Sequence, residues 1–166
     1  MNPRERYDSL FRFYAGKHAL DWKLLKCQAL QESRLDPHAV NKRSGAAGLT
    51  QFMPKTWEEW KDGTPGIQTE TEESKKLSVW NPEDSISAQA AYMASLVRFC
   101  EARLQTTDYR FALACYNWGM GNVQKLVQQK GSALYDLIYT EMPDETIDYV
   151  ERIYKFMFAS DTWEAA

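Results

Sequence analysis

The chain has few of the residues that mark several common classes of protein. It contains only two histidines, His18 and His38, and these lack the short spacing of metal-binding motifs. No apolar run reaches the ~20 residues needed to span a bilayer. Basic residues give no excess charge, since the formal net charge is −3. We therefore expect no metal or other cofactor, and neither nucleic acid nor a membrane as a partner.

Cysteine is also scarce, and the three residues present do not follow the spacing of a metal site. We interpret Cys27, Cys100 and Cys115 as buried free thiols of a protein made in a reducing compartment. The segment 1–14 carries charged side chains where a signal peptide would have an apolar core. The sequence thus predicts synthesis in the cytoplasm without a signal peptide.

Helical periodicity dominates the residues that are present. With 166 residues, 44% of them hydrophobic, the chain suits a single globular domain over residues 1–166. The sequence predicts an all-α fold with at most a small β-hairpin, near residues 40–53. Residues 61–76 are rich in Thr, Glu, Gly and Lys and are interpreted as a surface insertion.

Capping residues predict where the helices begin. Asp21 can cap a helix that starts at Trp22 and ends before Asp36-Pro37, and Thr56 can cap a short one. Asn81-Pro82 is a strong start signal for a long helix. Further starts are predicted at Asp108, Asn122 and Asp144, with a break at Gly119 and an end at Gly131.

Glu32 is the candidate catalytic residue. It continues the apolar face of the helix from Trp22, and apolar surroundings favour the uncharged carboxyl that a proton donor needs. A turn-rich segment, 45–54, follows it, and two polar-aromatic segments, 114–119 and 145–150, could return to meet it. Such an arrangement suits the cleavage of a glycosidic bond by one acid/base group.

Four motifs occur in order along the chain. They are Glu32-Ser33 followed by Gly45-x-x-Gly48-Leu49-x-Gln51-x-Met53-Pro54-x-Thr56, the helix from Ser85-Ile86 to Val97, Ala112-Leu113-Ala114-Cys115-Tyr116-Asn117-Trp118-Gly119, and Glu145-Thr146-x-x-Tyr149-Val150. With these motifs the chain resembles the soluble lytic transglycosylases, glycoside hydrolase family 23, over about residues 17–157.

The resemblance implies a lysozyme-like helical domain that cleaves the β-1,4 bond between N-acetylmuramic acid and N-acetylglucosamine in peptidoglycan. Glu32 would act first as acid and then as base, while the muramic acid 6-hydroxyl closes on its own anomeric carbon to give a 1,6-anhydro sugar. Tyr149 would hold the carboxyl in place. The implied substrate-binding residues are Ser33, Asn41, Gln51, Met53, Tyr116, Asn117 and Tyr149.

Four positions depart from the family pattern, among them Cys115 and Trp118, which replace small Ala residues beside Tyr116-Asn117. Thr50 stands where the family usually has Met, which predicts a more polar subsite wall. Asn41 occupies roughly the place of a Ser whose oxygen would assist the reaction.

Two other functions stay open. A hydrolase like the goose-type lysozymes would need an Asp just beyond Gln51, where Phe52-Met53-Pro54 stands instead. A non-catalytic glycan-binding module on the same scaffold would have no use for Glu32. We expect a monomer acting on the cell wall, encoded by a phage and released as an endolysin or carried by the virion. A bacterial enzyme expressed without its leader is the alternative.

Overall fold

The computed structural model describes residues 5–64 and 71–159, and no strand occurs among them. Two isolated antiparallel bridges, Val40–Ala47 and Ala47–Phe52, lie in the region where the sequence permits a small hairpin. The all-α prediction is confirmed. The helices are α1 (Asp8–Lys17), α2 (Trp22–Ser33), α3 (Pro54–Trp60), α4 (Pro82–Phe99), α5 (Tyr109–Trp118), α6 (Met120–Lys130), α7 (Tyr135–Ile138) and α8 (Asp144–Phe158), with short 3₁₀ turns at Ser74–Lys76 and Tyr139–Glu141 and a π-helical turn at Cys100–Leu104.

Three of the predicted caps act as expected. The side chains of Asp21, Asn81 and Asp108 each accept a backbone N–H from two residues further on, at 2.9 Å. Each bond satisfies an amide that has no partner within its helix. The end of α6 is also confirmed, since Gly131 has a left-handed backbone with φ +63°.

Two predicted helix starts are wrong by two to three residues. Helix α3 begins at Pro54 rather than after Thr56, because proline at the first helical position has the required φ and loses no hydrogen bond. Helix α6 begins at Met120 directly after Gly119, whose φ of +100° lets the chain turn sharply. The Asn122 amide instead donates back to the carbonyl oxygen of Trp118 at 2.7 Å.

The predicted cap of α8 is displaced by one residue. Asp144 is the first residue of the helix rather than the residue before it. The carbonyl oxygen of Pro143 accepts the Thr146 amide at 2.8 Å and the Ile147 amide at 3.0 Å, which places the cap at Pro143. Asp144 and Glu145 still favour this end of the helix, since acidic groups in the first turn complement the helix dipole.

One compact unit comprises, as far as it is described, residues 5–64, 71–92 and 157–159. Its ion pair between Lys26 and Asp8, at 2.6 Å, joins α2 to α1. An apolar cluster lies beneath the segment that carries Gln51 and packs α3 against α4. Its members are Phe52, Trp57, Trp60, Ala88 and Ala91, with Leu77, Val79 and Tyr92 partly buried against it.

The second compact unit comprises residues 93–156. Arg110 of α5 pairs with Asp108 at its own N-terminus and with Asp136 of α7, so it ties these two helices together. Cys100 and Cys115 are buried in this unit and Cys27 in the first. All three are free thiols, as predicted.

The predicted surface insertion, 61–76, is only partly described, because residues 65–70 lie outside the described residues. Most side chains of the remaining parts are exposed. Ser74 is buried, and its hydroxyl bonds both the amide and the carbonyl oxygen of Thr71. That residues 1–166 make a single domain stays a prediction.

Candidate active site

Four of the predicted site residues line one cleft of about 620 Å³ in the first unit. The catalytic candidate and three of the predicted binding residues are therefore brought together by the fold. We call this the Glu32 cleft, and the residues that line it are Gln31, Glu32, Ser33, Arg34, Ala39, Val40, Asn41, Lys42, Arg43 and Gln51.

Glu32 lies in the last turn of α2 and is half-buried. The helix ends abruptly behind it, because Arg34 adopts a left-handed backbone with φ +59° and its amide bonds the carbonyl oxygen of Leu30 at 3.0 Å. Leu35 is left-handed as well, with φ +63°. Such conformations cost non-glycine residues on the order of 1–3 kcal/mol each and tend to cluster at functional sites.

Ser33 fixes the end of α2 to the segment that carries Gln51. Its hydroxyl donates to the carbonyl oxygen of Leu49 at 2.7 Å and accepts the Asp36 amide at 3.1 Å. Both of these bonds are internal to the protein. The structure therefore gives Ser33 a role in positioning Glu32 beside the loop, in addition to its place in the cleft wall.

Gln51 is held by its own side-chain amide group. The Nε2 atom donates to the carbonyl oxygens of Ala39, at 3.0 Å, and Gly48, at 2.9 Å, which closes the loop onto itself. These two acceptors identify the nitrogen, so the Oε1 atom is the group left to face the cleft. Gln51 can thus accept a hydrogen bond from a sugar N–H or O–H group.

Asn41 shapes the loop in a similar way. Its Oδ1 atom accepts the amides of Arg43, at 3.0 Å, and Ser44, at 3.1 Å, forming a turn of the kind that Asn favours. The side-chain oxygen is therefore occupied. Only the Nδ2 donor is available to a ligand, so Asn41 does not offer the oxygen that the family pattern places there.

The expectation for Thr50 is wrong. Thr50 is fully buried, and its hydroxyl lies 2.8 Å from the hydroxyl of Ser85 on α4. It therefore forms no subsite wall. Met53 is 44% exposed, which excludes a role as core filler, although it does not line the Glu32 cleft.

The other two motifs meet within the second unit. The Tyr116 ring, at the end of α5, stacks on the Tyr149 ring of α8, with centroids 6.5 Å apart and planes inclined by 2°. Asn117 accepts a hydrogen bond from the buried Thr146 hydroxyl through its Oδ1 atom, at 2.8 Å. The side-chain Nδ2 donor of Asn117 is thereby left for a ligand.

A family model described as the transglycosylase SLT domain matches residues 9–138. The chain belongs to this family. Among curated relatives, it is 34% identical over 130 residues to the membrane-bound lytic murein transglycosylase F of Alteromonas mediterranea, covering 76% of this chain and 24% of the relative. It is 36% identical over 123 residues to the protein of the same name from Maricaulis maris, covering 74% and 24%.

Solved structures show the same SLT-domain fold. The lytic transglycosylase Slt of Pseudomonas aeruginosa superposes with a TM-score of 0.75 at 21% identity, covering 95% of this chain and 24% of that one. The soluble lytic transglycosylase Slt70 of Escherichia coli gives a TM-score of 0.74 at 22% identity, covering 92% and 24%. The lysozyme-like fold is confirmed. This SLT domain spans about a quarter of the length of the relatives it matches.

Sequence reasoning missed two features of this SLT domain. Three cations, Arg34, Lys42 and Arg43, line the Glu32 cleft, although the runs 33–36 and 41–44 already show basic residues beside two of the motifs. Thr146 was quoted within a motif but given no role. A threonine at the third position of an acidic helix start carries no local signal that its hydroxyl will reach Asn117.

Residues 5–64 and 71–159 carry neither a metal cluster nor a membrane-spanning helix. No three His, Cys, Asp or Glu side chains there are grouped so as to hold a metal ion. None of the helices there has the length and apolar character needed to cross a membrane.

Proposed function

We propose that this SLT domain is a lytic transglycosylase that cleaves the MurNAc-β-1,4-GlcNAc bond of peptidoglycan with Glu32 as its one catalytic carboxyl. Membership of the family and the names of its lytic murein transglycosylase relatives support this reaction class. The observation that carries the proposal is the composition of the Glu32 cleft. Among the residues that line it, Glu32 is the only acid, whereas hydrolases of glycosidic bonds generally use two carboxylates.

A single carboxyl group, that of Glu32, is sufficient for both proton transfers of the reaction. Glu32 donates its proton to the glycosidic oxygen as the bond from the anomeric carbon breaks, and the N-acetylglucosamine side leaves as an alcohol. The 6-hydroxyl of the muramic acid then attacks the anomeric carbon and returns its proton to Glu32. No water is consumed, and the carboxyl is restored in its protonated form.

The neighbouring groups suit recognition of N-acetylated sugars. Gln51 offers an acceptor whose position is fixed by two backbone bonds. Asn117 and Asn41 each offer an amide donor, because their oxygens are occupied within the protein. We propose that Tyr116 and Met53 border the sugar subsites and that Tyr149 holds the Glu32 carboxyl.

A goose-type hydrolysis is less well supported. Asp36 is the nearest acid in sequence, but it does not line the Glu32 cleft, and its Oδ1 atom accepts the amide of His38 at 2.9 Å. The position after Gln51 is Phe52, which is buried in the apolar cluster. Neither residue offers a carboxylate that would position a water molecule.

The test is a digest of purified peptidoglycan analysed by mass spectrometry, with Glu32→Gln and the exposed Glu59→Gln as matched variants. We expect an anhydro product, one water lighter than the hydrolysed one, from the parent and from Glu59→Gln. Glu32→Gln should lose at least about 10⁴-fold in rate, because one group supplies both acid and base.

Three results would contradict this proposal. Water-containing ends would identify a hydrolase, and glycan binding without any cleavage by the parent would identify a binding module. Residual activity of Glu32→Gln above about a tenth of the parent's would assign the acid to another group.

The proposed setting is bacterial cell-wall turnover or lysis. A phage origin and a monomeric state stay predictions, and light scattering tests the monomeric state.

A further inference from the structure

The Glu32 cleft has a charge opposite in sign to that of the whole chain. The chain carries a formal net charge of −3, but three of the ten residues that line the cleft are cations and one is an acid. A concave surface lined by charge of one sign concentrates ligands of the other sign. The cleft is therefore suited to a ligand that carries negative charge.

These cations have no carboxylate partner in the described part of the chain. Arg34, Lys42 and Arg43 form no ion pair in residues 5–64 and 71–159, and all three are exposed. Elsewhere, cations do have carboxylate partners, as in Lys61–Glu58 at 2.6 Å and Arg110–Asp108 at 2.7 Å. The charge in the cleft is thus available to an external anion.

The backbone presents two of the cations in a fixed turn. The amides of Arg43 and Ser44 bond the Asn41 side chain, and the Gly45 amide bonds the Asn41 carbonyl oxygen at 2.7 Å. Lys42 lies between these bonded positions. Gln51 is tied to the same loop at Ala39, so the two cations and the sugar-binding acceptor share one scaffold.

The chemistry of the substrate limits what the anion can be. The N-acetylated sugars offer hydroxyl and acetamido groups, while the peptide stems attached to the muramic acid bear free carboxylates. On the basis of the proposed function, we propose that Lys42 and Arg43 bind carboxylates of the peptide stem, so that the enzyme prefers glycan strands that carry stems. Arg34, two residues after Glu32, adds to the positive potential of the cleft.

The test compares two substrates from the same glycan strands, one with stems and one from which an amidase has removed them. The variant is Lys42→Gln/Arg43→Gln. Its matched control is Lys55→Gln/Lys76→Gln, which removes the same charge from exposed positions outside the cleft. The measured quantity is kcat/KM for anhydro product, at low and at high salt, with thermal melts to confirm folding.

We expect the preference for stem-bearing strands to fall by about tenfold or more in the cleft variant, because charge-assisted hydrogen bonds are among the stronger polar contacts. The control should keep the parent's preference. High salt should reduce the parent's preference, since both cations are exposed and screened. Lys42→Arg/Arg43→Lys should retain it, because both charges remain.

Other outcomes overturn the inference. An unchanged preference, or a parent that shows none, would exclude stem recognition by these residues. If stem-free strands that carry a phosphate-bearing wall polymer were cleaved in preference to bare strands, the cations would be assigned to phosphate rather than to stem carboxylates. If the parent cleaved neither substrate, the proposed function itself would fail, and that result is distinguishable from a lost preference.

Discussion

The Thr146 hydroxyl donates a 2.8 Å hydrogen bond to the side-chain oxygen of Asn117, which lies 29 residues earlier in the chain. Thr146 is fully buried and Asn117 is partly exposed. The bond decides which end of the Asn117 amide is available outside the protein. It converts a group that could donate or accept into a directed donor.

Thr146→Val should therefore weaken substrate recognition, although Thr146 itself is buried. Valine has nearly the same shape, but it leaves the Asn117 oxygen without its donor, at a cost of about 1–3 kcal/mol. We expect kcat/KM for peptidoglycan to fall by roughly tenfold, mainly through KM. Thr106→Val is the control, because the Thr106 hydroxyl accepts a local bond from the Asp108 amide, at 3.2 Å. Equal activity of the two variants would refute this positioning role.

Features with local causes could be predicted from the sequence. The caps at Asp21, Asn81 and Asp108 were correct because each side chain bonds an amide only two residues away. Helix α7 was not predicted, since four residues, Tyr135–Ile138, provide too short an apolar pattern.

Features that depend on distant partners could not be predicted in this way. Thr50 was assigned to a subsite wall, but its hydroxyl meets Ser85, 35 residues later, in the buried interior. The roles of Ser33 and Gln51 in closing the loop likewise depend on backbone groups reached only after folding. The motifs identified which residues matter, and the structure showed which of their atoms are occupied.

Gly48→Ala should destabilise the protein far more than Gly45→Ala. Both glycines have left-handed backbones, with φ of +78° and +80°, so the conformational cost of alanine is similar, about 1–2 kcal/mol. At Gly48, however, an added Cβ would lie 2.2 Å from the carbonyl oxygen of Val79, while at Gly45 the nearest atom is 3.8 Å away, in Pro54. Urea unfolding of the two variants measures the difference; equal losses would mean that the Val79 segment moves aside without cost.

The buried ion pair between Lys26 and Asp8 should respond unequally to loss of either partner. The Lys26 side chain is 4% exposed and that of Asp8 is 22% exposed. Asp8→Ala removes the carboxylate partner of a buried ammonium and should cost about 3–5 kcal/mol of unfolding free energy. Lys26→Met should cost less, because the remaining Asp8 side chain is partly exposed and so partly hydrated. The double variant should be more stable than Asp8→Ala alone, and additive losses in a double-mutant cycle would contradict this account.

Cys27 should make the protein less stable at alkaline pH. Burial raises the pKa of this thiol to about 12, whereas a thiol in the unfolded chain has a pKa of ~8.5. Between these values the unfolded chain releases its proton while the folded one retains it, so the contribution of Cys27 to stability is complete below about pH 8.5 and is lost as pH rises towards about 12. Urea unfolding between about pH 8 and pH 11 should show this decline.

Cys27→Ala should lower stability throughout, because it leaves a cavity, but its curve of stability against pH should fall less steeply than the parent's. Parallel curves would show that other groups cause the alkaline loss, and rapid alkylation of Cys27 in the native protein would show that the thiol is not buried in solution.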